Sequence, residues 1–413
     1  MFSIVLNKLR WSYRKNVPDL LALLRRHYPA FMFEPTPKSL QNEIPVFTFH
    51  SVEPVSFEAK LKFLRQNGYR TLNSEEFRAA IAGEHDIPAK SVLLTFDDGT
   101  ATLWSVAFPL LQKYGFRAVS FIIPGCIPER APETPTYWDF AAKRATVASL
   151  TARERNHSPL CSWQEIQEMH DSGVIDFQSH TMHHHMVCVS PQLVDFIHPR
   201  YDFYFFANIN VPVYRENGRL NYGRQMPWGT PVYRAEPRMA GRPQYFDDEA
   251  ARQACIEYAG KNGGEKFFNH EGWRKSLTAV YREALSKRRQ NEFETRETQA
   301  QTIWQDLHLA KGMIETRLPG KKVDQLCYPW FMGSDVAVAQ SRRAGYRVNY
   351  WGHVPQYETN RAGQDLFYVT RIEDHYIYRL PGEGRKRLKE ILQTKVQANL
   401  PRFMHRVAEK QSF

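Results

Sequence analysis

The sequence predicts an α/β protein built on parallel strands, and three features predict it. An apolar run, Ser91-Val-Leu-Leu-Thr-Phe, leads without polar alternation into Asp97-Asp98-Gly99. A strand patterned this way is buried on both faces, as strands of parallel sheets are. On either side of it, short strand-like runs alternate with helical ones, and parallel strands need such crossovers. Two of these runs end in polar groups, at Asp98 and at His180, and α/β folds gather their chemistry at the carboxyl ends of strands.

Taken in order, residues 11–40 are basic and aromatic. A short helix over 19–26 has one apolar face, which packs on the body or lies on anionic lipid; its shortness favours packing. Pro35 and Pro37 then interrupt regular structure. The first strand runs over 44–50 and ends in His50. Phe57, Leu61 and Leu64 predict a helix over 57–67 that Gly68 stops, and Ser74 caps the next one. After the 92–96 strand, a helix is expected over 103–114 and a strand over 117–123. Residues 128–159 read as loop. Ser162, with Glu165 three residues on and Gly173 at the end, delimits a capped helix. The 174–179 strand delivers His180. Beyond it, 190–295 breaks the alternation and reads as an insertion rich in aromatics, among them Tyr201, Phe203, Phe205, Tyr214, Tyr222, Trp228, Tyr233 and Tyr245. These form either a sugar-binding lid or groove, or a satellite core. Helices are expected within it over 247–260 and 271–289. The alternation resumes with an amphipathic helix over 298–318, a strand and exit loop over 323–333, a helix over 334–344 and strands over 346–350 and 367–372. The organisation is then a basic extension (1–43), a main domain (44–380) interrupted by the insertion, and a basic tail (381–413).

Bulk composition narrows the class. With 413 residues, 42% of them hydrophobic, the chain suits a globular enzyme, not a disordered one. A net charge of +11 favours an anionic partner or surface: acidic lipid, an acidic glycan or nucleic acid. Nucleic acid is not expected, because the basic residues are dispersed and no binding motif accompanies them. Five cysteines without a CxxC pair argue against a disulfide framework and a thiolate zinc site. The first fifteen residues lack a secretory pattern, and no apolar stretch nears the roughly 20 residues that span a bilayer. The expectation is a cytoplasmic protein, with peripheral contact at the inner face of an anionic membrane as an added option.

Neighbouring carboxylates repel, so Asp97 and Asp98 call for a positive offset, and a metal ion is the simplest. The run His180-Thr-Met-His183-His184-His185 supplies the complement. Imidazoles bind zinc and similar ions, and two histidines four apart can converge on one. His180 and His184 have the best spacing, His185 is the fallback, and His183 points away.

With these two motifs the chain resembles the polysaccharide deacetylase family. Thr95-Phe-Asp97-Asp98-Gly99 resembles its first motif and His180-Thr-Met-His-His184 its second. His50, Trp163 and the loop Tyr328-Pro-Trp-Phe-Met-Gly333 agree with its flanks. The resemblance covers roughly 44–188 and 297–372. It implies a distorted (β/α)7 barrel and one divalent metal ion, often zinc in this family, held by Asp98, His180 and His184. It implies Asp97 as the base toward the water on the ion, and Tyr328, Pro329 and Trp330 as substrate contacts. The expected activity is removal of an acetyl group from an amino sugar in a glycan. An O-deacetylase, or a non-catalytic glycan- or lipid-binding barrel, is the alternative. Two departures stand out. The family's third-motif arginine is missing from 324–333, with Arg371 the candidate replacement and a further substrate contact. Its Leu-x-His acid motif is also absent, which leaves His375 as candidate acid and His353 behind it.

Overall fold

The computed structural model describes residues 21–40, 42–155, 158–201, 212–216, 219–221, 226–285 and 292–395. The start of the helix expected from residue 19, the aromatics Phe203, Phe205 and Tyr222, and the tail beyond 395 lie outside the described residues.

Five strands precede the insertion: β1 (Val46–Phe49), β2 (Arg70–Thr71), β3 (Ser91–Asp98), β4 (Ala118–Ile122) and β5 (Ile175–Ser179). The insertion carries β6 (Met186–Phe196), β7 (Pro212–Glu216), β8 (Arg219–Asn221), β9 (Pro231–Pro237), β10 (Tyr245–Phe246) and β11 (Glu292–Phe293). After it come β12 (Gln325–Cys327), β13 (Val348–Tyr350) and β14 (Ile372–Glu373). The main sheet runs β13-β12-β5-β4-β3-β1-β14, with β2 beside β3. Every pairing in it is parallel. The seven strands of this path make a curled half-barrel, and β2 is an eighth strand off the path. The segment that forms one edge also reaches the other: Ile372 of β14 pairs with Phe47 of β1, and Val369 bridges Tyr350 of β13.

The two faces of β3 explain its unbroken apolar pattern. Val92, Leu94 and Phe96 join the large core under the surrounding helices. Leu93 points the other way and packs with Val119, Phe121, Val348 and Tyr350 inside the curl. Helices follow most of the expected signals with shifted ends, but Asn73 and not Ser74 caps the helix Ser74–Ile81, its side chain accepting from Glu76 N. Ser162 caps Trp163–Asp171 with a complete capping box, and the helix before β12 spans Arg296–Arg317.

Three elements differ from expectation. The 103–114 helix begins as a wide π-type turn over Leu103–Ala107 and becomes α-helical only at Phe108–Tyr114; Pro109 has no N–H to continue the ladder. The final strand is only Ile372–Glu373, because Leu366–Tyr368 forms a single helical turn after the Asp365 side chain accepts from Phe367 N at 2.9 Å. The 128–159 stretch holds three short helices, Tyr137–Ala141, Val147–Leu150 and Ala152–Arg155.

The insertion folds around its own centre. Strands β8-β7-β6-β9 form a sheet, and the helices Glu249–Lys261 and Trp273–Leu285 pack with it. Phe196, Tyr214, Tyr233, Tyr245, Trp273 and Tyr281 are buried in this cluster, so most of the described aromatics form a satellite core and not a lid. At the other end, Tyr28, Phe31, Met32 and Leu40 sit in the main core. Arg379 Nε donates to Met32 O at 2.9 Å and Arg385 Nη2 to Phe31 O at 2.8 Å. The described part of the N-terminal extension therefore packs on the body. No helix among the described residues is long and apolar enough to cross a membrane.

Candidate active site

Alternation along β3 sends Thr95 and Asp97 to the same side as Leu93, toward the inside of the curl. Strict alternation would turn Asp98 away. Instead the backbone enters the left-handed region at Asp98 (φ 70°) and Gly99 (φ 72°), and this turn brings both carboxylates to the mouth of the sheet. Gly99 is required twice over, since a Cβ there would lie 2.9 Å from Ile122 Cγ2. Thr181, His184, Trp330 and Phe331 also have positive φ. Such residues cost roughly 1 kcal/mol or more each and concentrate at functional sites.

Asp98, His180 and His184 converge. Their candidate ligand atoms all lie within 4.8 Å of one another, and all three residues are buried. Asp98 Oδ1 stands 3.4 Å from His180 Nε2 and 3.6 Å from His184 Nε2. His180 Nδ1 lies 2.8 Å from Cys327 O, so it is the donor there and Nε2 faces the cluster. Asp98 Oδ1 is buried and makes no well-aligned hydrogen bond. One carboxylate and two imidazoles suit a divalent ion of the zinc type and leave a coordination position open. An orphaned buried oxygen aimed at two ring nitrogens is what such an ion satisfies. Burial drives the His184 pKa down to about 4, which keeps its lone pair free. Burial also opposes ionisation of Asp98, but His180 and His184 outweigh it and hold the carboxyl below the usual range.

A second trio, Asp97, His180 and Cys327, is similarly close but fits an ion less well. Arg371 takes both Asp97 oxygens, with Nη1 2.7 Å from Oδ1 and Nη2 2.9 Å from Oδ2. Burial pushes the Cys327 thiol up, so it stays protonated; its Sγ lies 3.6 Å from Asp97 Oδ2. Burial would raise the Asp97 pKa as well, yet the guanidinium of Arg371, with His180, holds it below the ordinary value. Asp97 is thus a buried, oriented carboxylate beside the metal-type cluster and outside it.

Several expected site residues sit elsewhere. Arg371 is not a substrate contact: its side chain is 0% exposed and locked on Asp97, with Nε donating to Trp351 O at 2.8 Å. Tyr328 is also inaccessible, at 0% exposure; it packs edge-on against Trp351 and its hydroxyl accepts from Asn349 Nδ2 at 2.6 Å. Pro329 is buried behind it. The left-handed turn at Trp330 and Phe331 swings those two rings, and not Tyr328, to the mouth. The Trp330 ring lies 5.8 Å from that of His184, and Phe331 lies edge-on to His50 at 6.2 Å. His375 pairs with Glu373, Nδ1 to Oε2 at 3.2 Å, and lies against Tyr376 at 4.1 Å between ring centres. The charges acting on it are Glu373, Lys395, Asp374 and Lys60, and burial sends its pKa down to about 4. His353 stacks on Tyr28. A third imidazole beside the paired carboxylates is His50, whose Nε2 is 3.9 Å from Asp97 Oδ2 and whose side chain is 49% exposed. Its signal was in the sequence as a histidine ending a strand, but only the β1–β3 pairing gives it meaning. His185 Nδ1 turns away from the cluster toward Asp306 Oδ2, at 3.6 Å.

Residues 84–195 match the family model described as polysaccharide deacetylase. Among its relatives is the poly-β-1,6-N-acetyl-D-glucosamine N-deacetylase of Escherichia coli K12, 26% identical over 147 residues, or 36% of this chain and 20% of that one. The enzyme of the same name in Staphylococcus aureus is 28% identical over 133 residues, or 32% of this chain and 37% of that one. The chain thus matches well under two thirds of those relatives' length. Among solved structures, a de-N-acetylase from Aggregatibacter actinomycetemcomitans aligns over 81% of this chain and 96% of that one, with 17% identity and a TM-score of 0.48.

Proposed function

We propose that the chain is a metal-dependent hydrolase that removes the N-acetyl group from an amino sugar of a glycan. The observation that carries this reading is the pairing of two carboxylates in different states. Asp98 Oδ1 is an orphan facing two imidazoles, while Asp97, its chain neighbour, is gripped by Arg371. The named relatives are N-deacetylases of a β-1,6-linked N-acetylglucosamine polymer, which supports an amide and not an ester as the scissile bond.

Asp98, His180 and His184 would hold the divalent ion, and when bound it supplies polarisation of the acyl oxygen and stabilisation of the charge developing there. Asp97, kept ionised, takes the proton of the attacking water as the new oxygen–carbon bond forms. Arg371 fixes the direction of that carboxylate. As the carbon–nitrogen bond breaks, the leaving amine needs a proton, and His50 at the open rim is the group in reach of Asp97 that can give one. Trp330 and Phe331 flank the approach and offer apolar faces to a sugar ring.

The test is acetate release from N-acetylated and O-acetylated glucosamine oligomers, with zinc content measured alongside. Asp97→Asn should lower turnover about 10²- to 10⁴-fold, the range of general acid–base catalysis, while zinc stays near one per chain. Full activity of that variant, or preferential release from the O-acetylated oligomer, would defeat the proposal.

A further inference from the structure

The loop that carries His180 and His184 is held from outside by parts of the chain that the metal cluster does not include. Asp306 Oδ1 accepts from Met182 N at 2.9 Å, and Gly125 N donates to Met182 O at 3.0 Å. On the other side of His184, His185 O accepts from Arg238 N at 3.2 Å. Arg238 belongs to the insertion, in the turn Arg238–Ala240 that follows β9. The same turn reaches the aromatic loop: Ser334 Oγ donates to Met239 O at 2.8 Å. A Cβ on Gly241 would come within 2.6 Å of Ser334 Oγ, so the two segments are in tight contact. One turn of the insertion therefore touches both loops that line the site, the one with the histidines and the one that presents Trp330.

What holds this turn is a buried ion pair. Arg238 Nη1 and Nη2 grip Glu294 Oε1 and Oε2 at 2.6 and 2.8 Å. Both side chains are 1% exposed. Glu294 also accepts from Gln244 N at 2.7 Å, and Arg238 Nη2 donates to Gln299 O at 3.3 Å, on the helix Arg296–Arg317. That helix carries Asp306 as well. The pair thus ties the end of the insertion, the start of the helix and the His185 carbonyl into one frame.

We propose that Arg238 and Glu294 are positioning residues for the metal-holding loop, and that the insertion is thereby a structural part of the metal centre. The inference rests on the reading that Asp98, His180 and His184 bind a divalent ion. Interactions that orient ligands from outside the coordination shell commonly change metal affinity 10- to 100-fold. The loop is strained as well, with positive φ at Thr181 and His184, so it needs such a frame to hold its shape.

The experiment uses the full chain and zinc alone as the probe. Zinc affinity is measured by competition with a chromophoric chelator, and the melting temperature of each metal-free variant is measured in parallel. Glu294→Gln and the milder Arg238→Lys are compared with Asp247→Asn, which weakens a separate buried ion pair of the insertion, Arg252–Asp247 at 2.6 Å. The expected result is a zinc affinity lowered about 10-fold or more in Glu294→Gln. Arg238→Lys should fall between that variant and wild type, and Asp247→Asn should stay within about twofold of wild type even if its melting temperature drops as far. Equal zinc affinity in all three variants overturns the positioning role. So does a loss in Asp247→Asn matching that in Glu294→Gln, which would mark a purely structural effect. Failure of the wild-type chain to bind zinc would count against the metal reading itself and is distinguishable from both.

Discussion

At Asp97 the outcome of burying a carboxylate depends on one neighbour. Two guanidinium nitrogens meet its two oxygens below 3 Å, in a setting where burial alone would favour the protonated acid. Replacing Arg371 with methionine leaves that charge without its partner. We expect destabilisation of about 3–5 kcal/mol, the usual result of breaking a buried pair, read by denaturant unfolding; a change below about 1 kcal/mol would show that Asp97 finds its offset elsewhere. His50 offers a separate prediction. Its side chain is half exposed, so His50→Ala should keep the fold and the zinc while lowering turnover of an N-acetylated substrate. The effect should be smaller on an activated ester, whose leaving group needs no proton. Equal losses on both substrates would remove His50 from the acid role. These residues also mark how far motif reasoning reached. Asp97, Asp98, His180 and His184 were legible because strand ends and a four-residue histidine spacing are local signals. The placement of Arg371 on Asp97 was not, since 274 positions separate the two.

Among elements, the exit from β3 and the helix beneath β5 show local chemistry setting the position of a proposed metal ligand. Gly99 takes a left-handed conformation with Ile122 against its α-carbon. Gly99→Ala should destabilise the chain by about 1–3 kcal/mol through backbone strain and reduce zinc affinity as well, because Asp98 is the adjacent residue. A melting-temperature loss with unchanged zinc affinity would separate the turn from the ligand. The Trp163–Asp171 helix precedes β5, whose end delivers His180. Its Ser162 side chain accepts from Glu165 N, so Ser162→Ala should cost about 1 kcal/mol, measured as a shift in the denaturation midpoint, and leave zinc binding intact. The strands of the insertion were not foreseen, for a physical reason. Its β6–β9 pairing shifts register between Cys188 and Leu193 and again before Asp195, so the sequence shows no clean two-residue period there.

For the whole molecule, Glu43 links stability to pH. It is almost fully buried where the chain enters β1 and bridges Arg361. Burial pushes its pKa up to about 7, and the Arg361 guanidinium, 3.9 Å away, offsets only part of that. A carboxyl whose folded pKa is raised binds its proton more tightly in the native state. Its contribution is therefore fully present below the unfolded value near 4.5 and is lost as pH rises through about 7. Glu43→Gln should then gain stability relative to wild type between pH 5 and pH 8, as followed by melting temperature; parallel pH profiles would refute this. On its own, the sequence determined the class of fold, the strand that carries the two acids and the histidine pair, because periodicity, caps and motif spacing are written over a few turns of chain. Only the tertiary structure decided which carboxylate faces the imidazoles, which arginine holds the other, which histidine stands at the rim and that the insertion reaches the loop of His180 and His184, because each of these depends on contacts between strands and loops far apart in the chain.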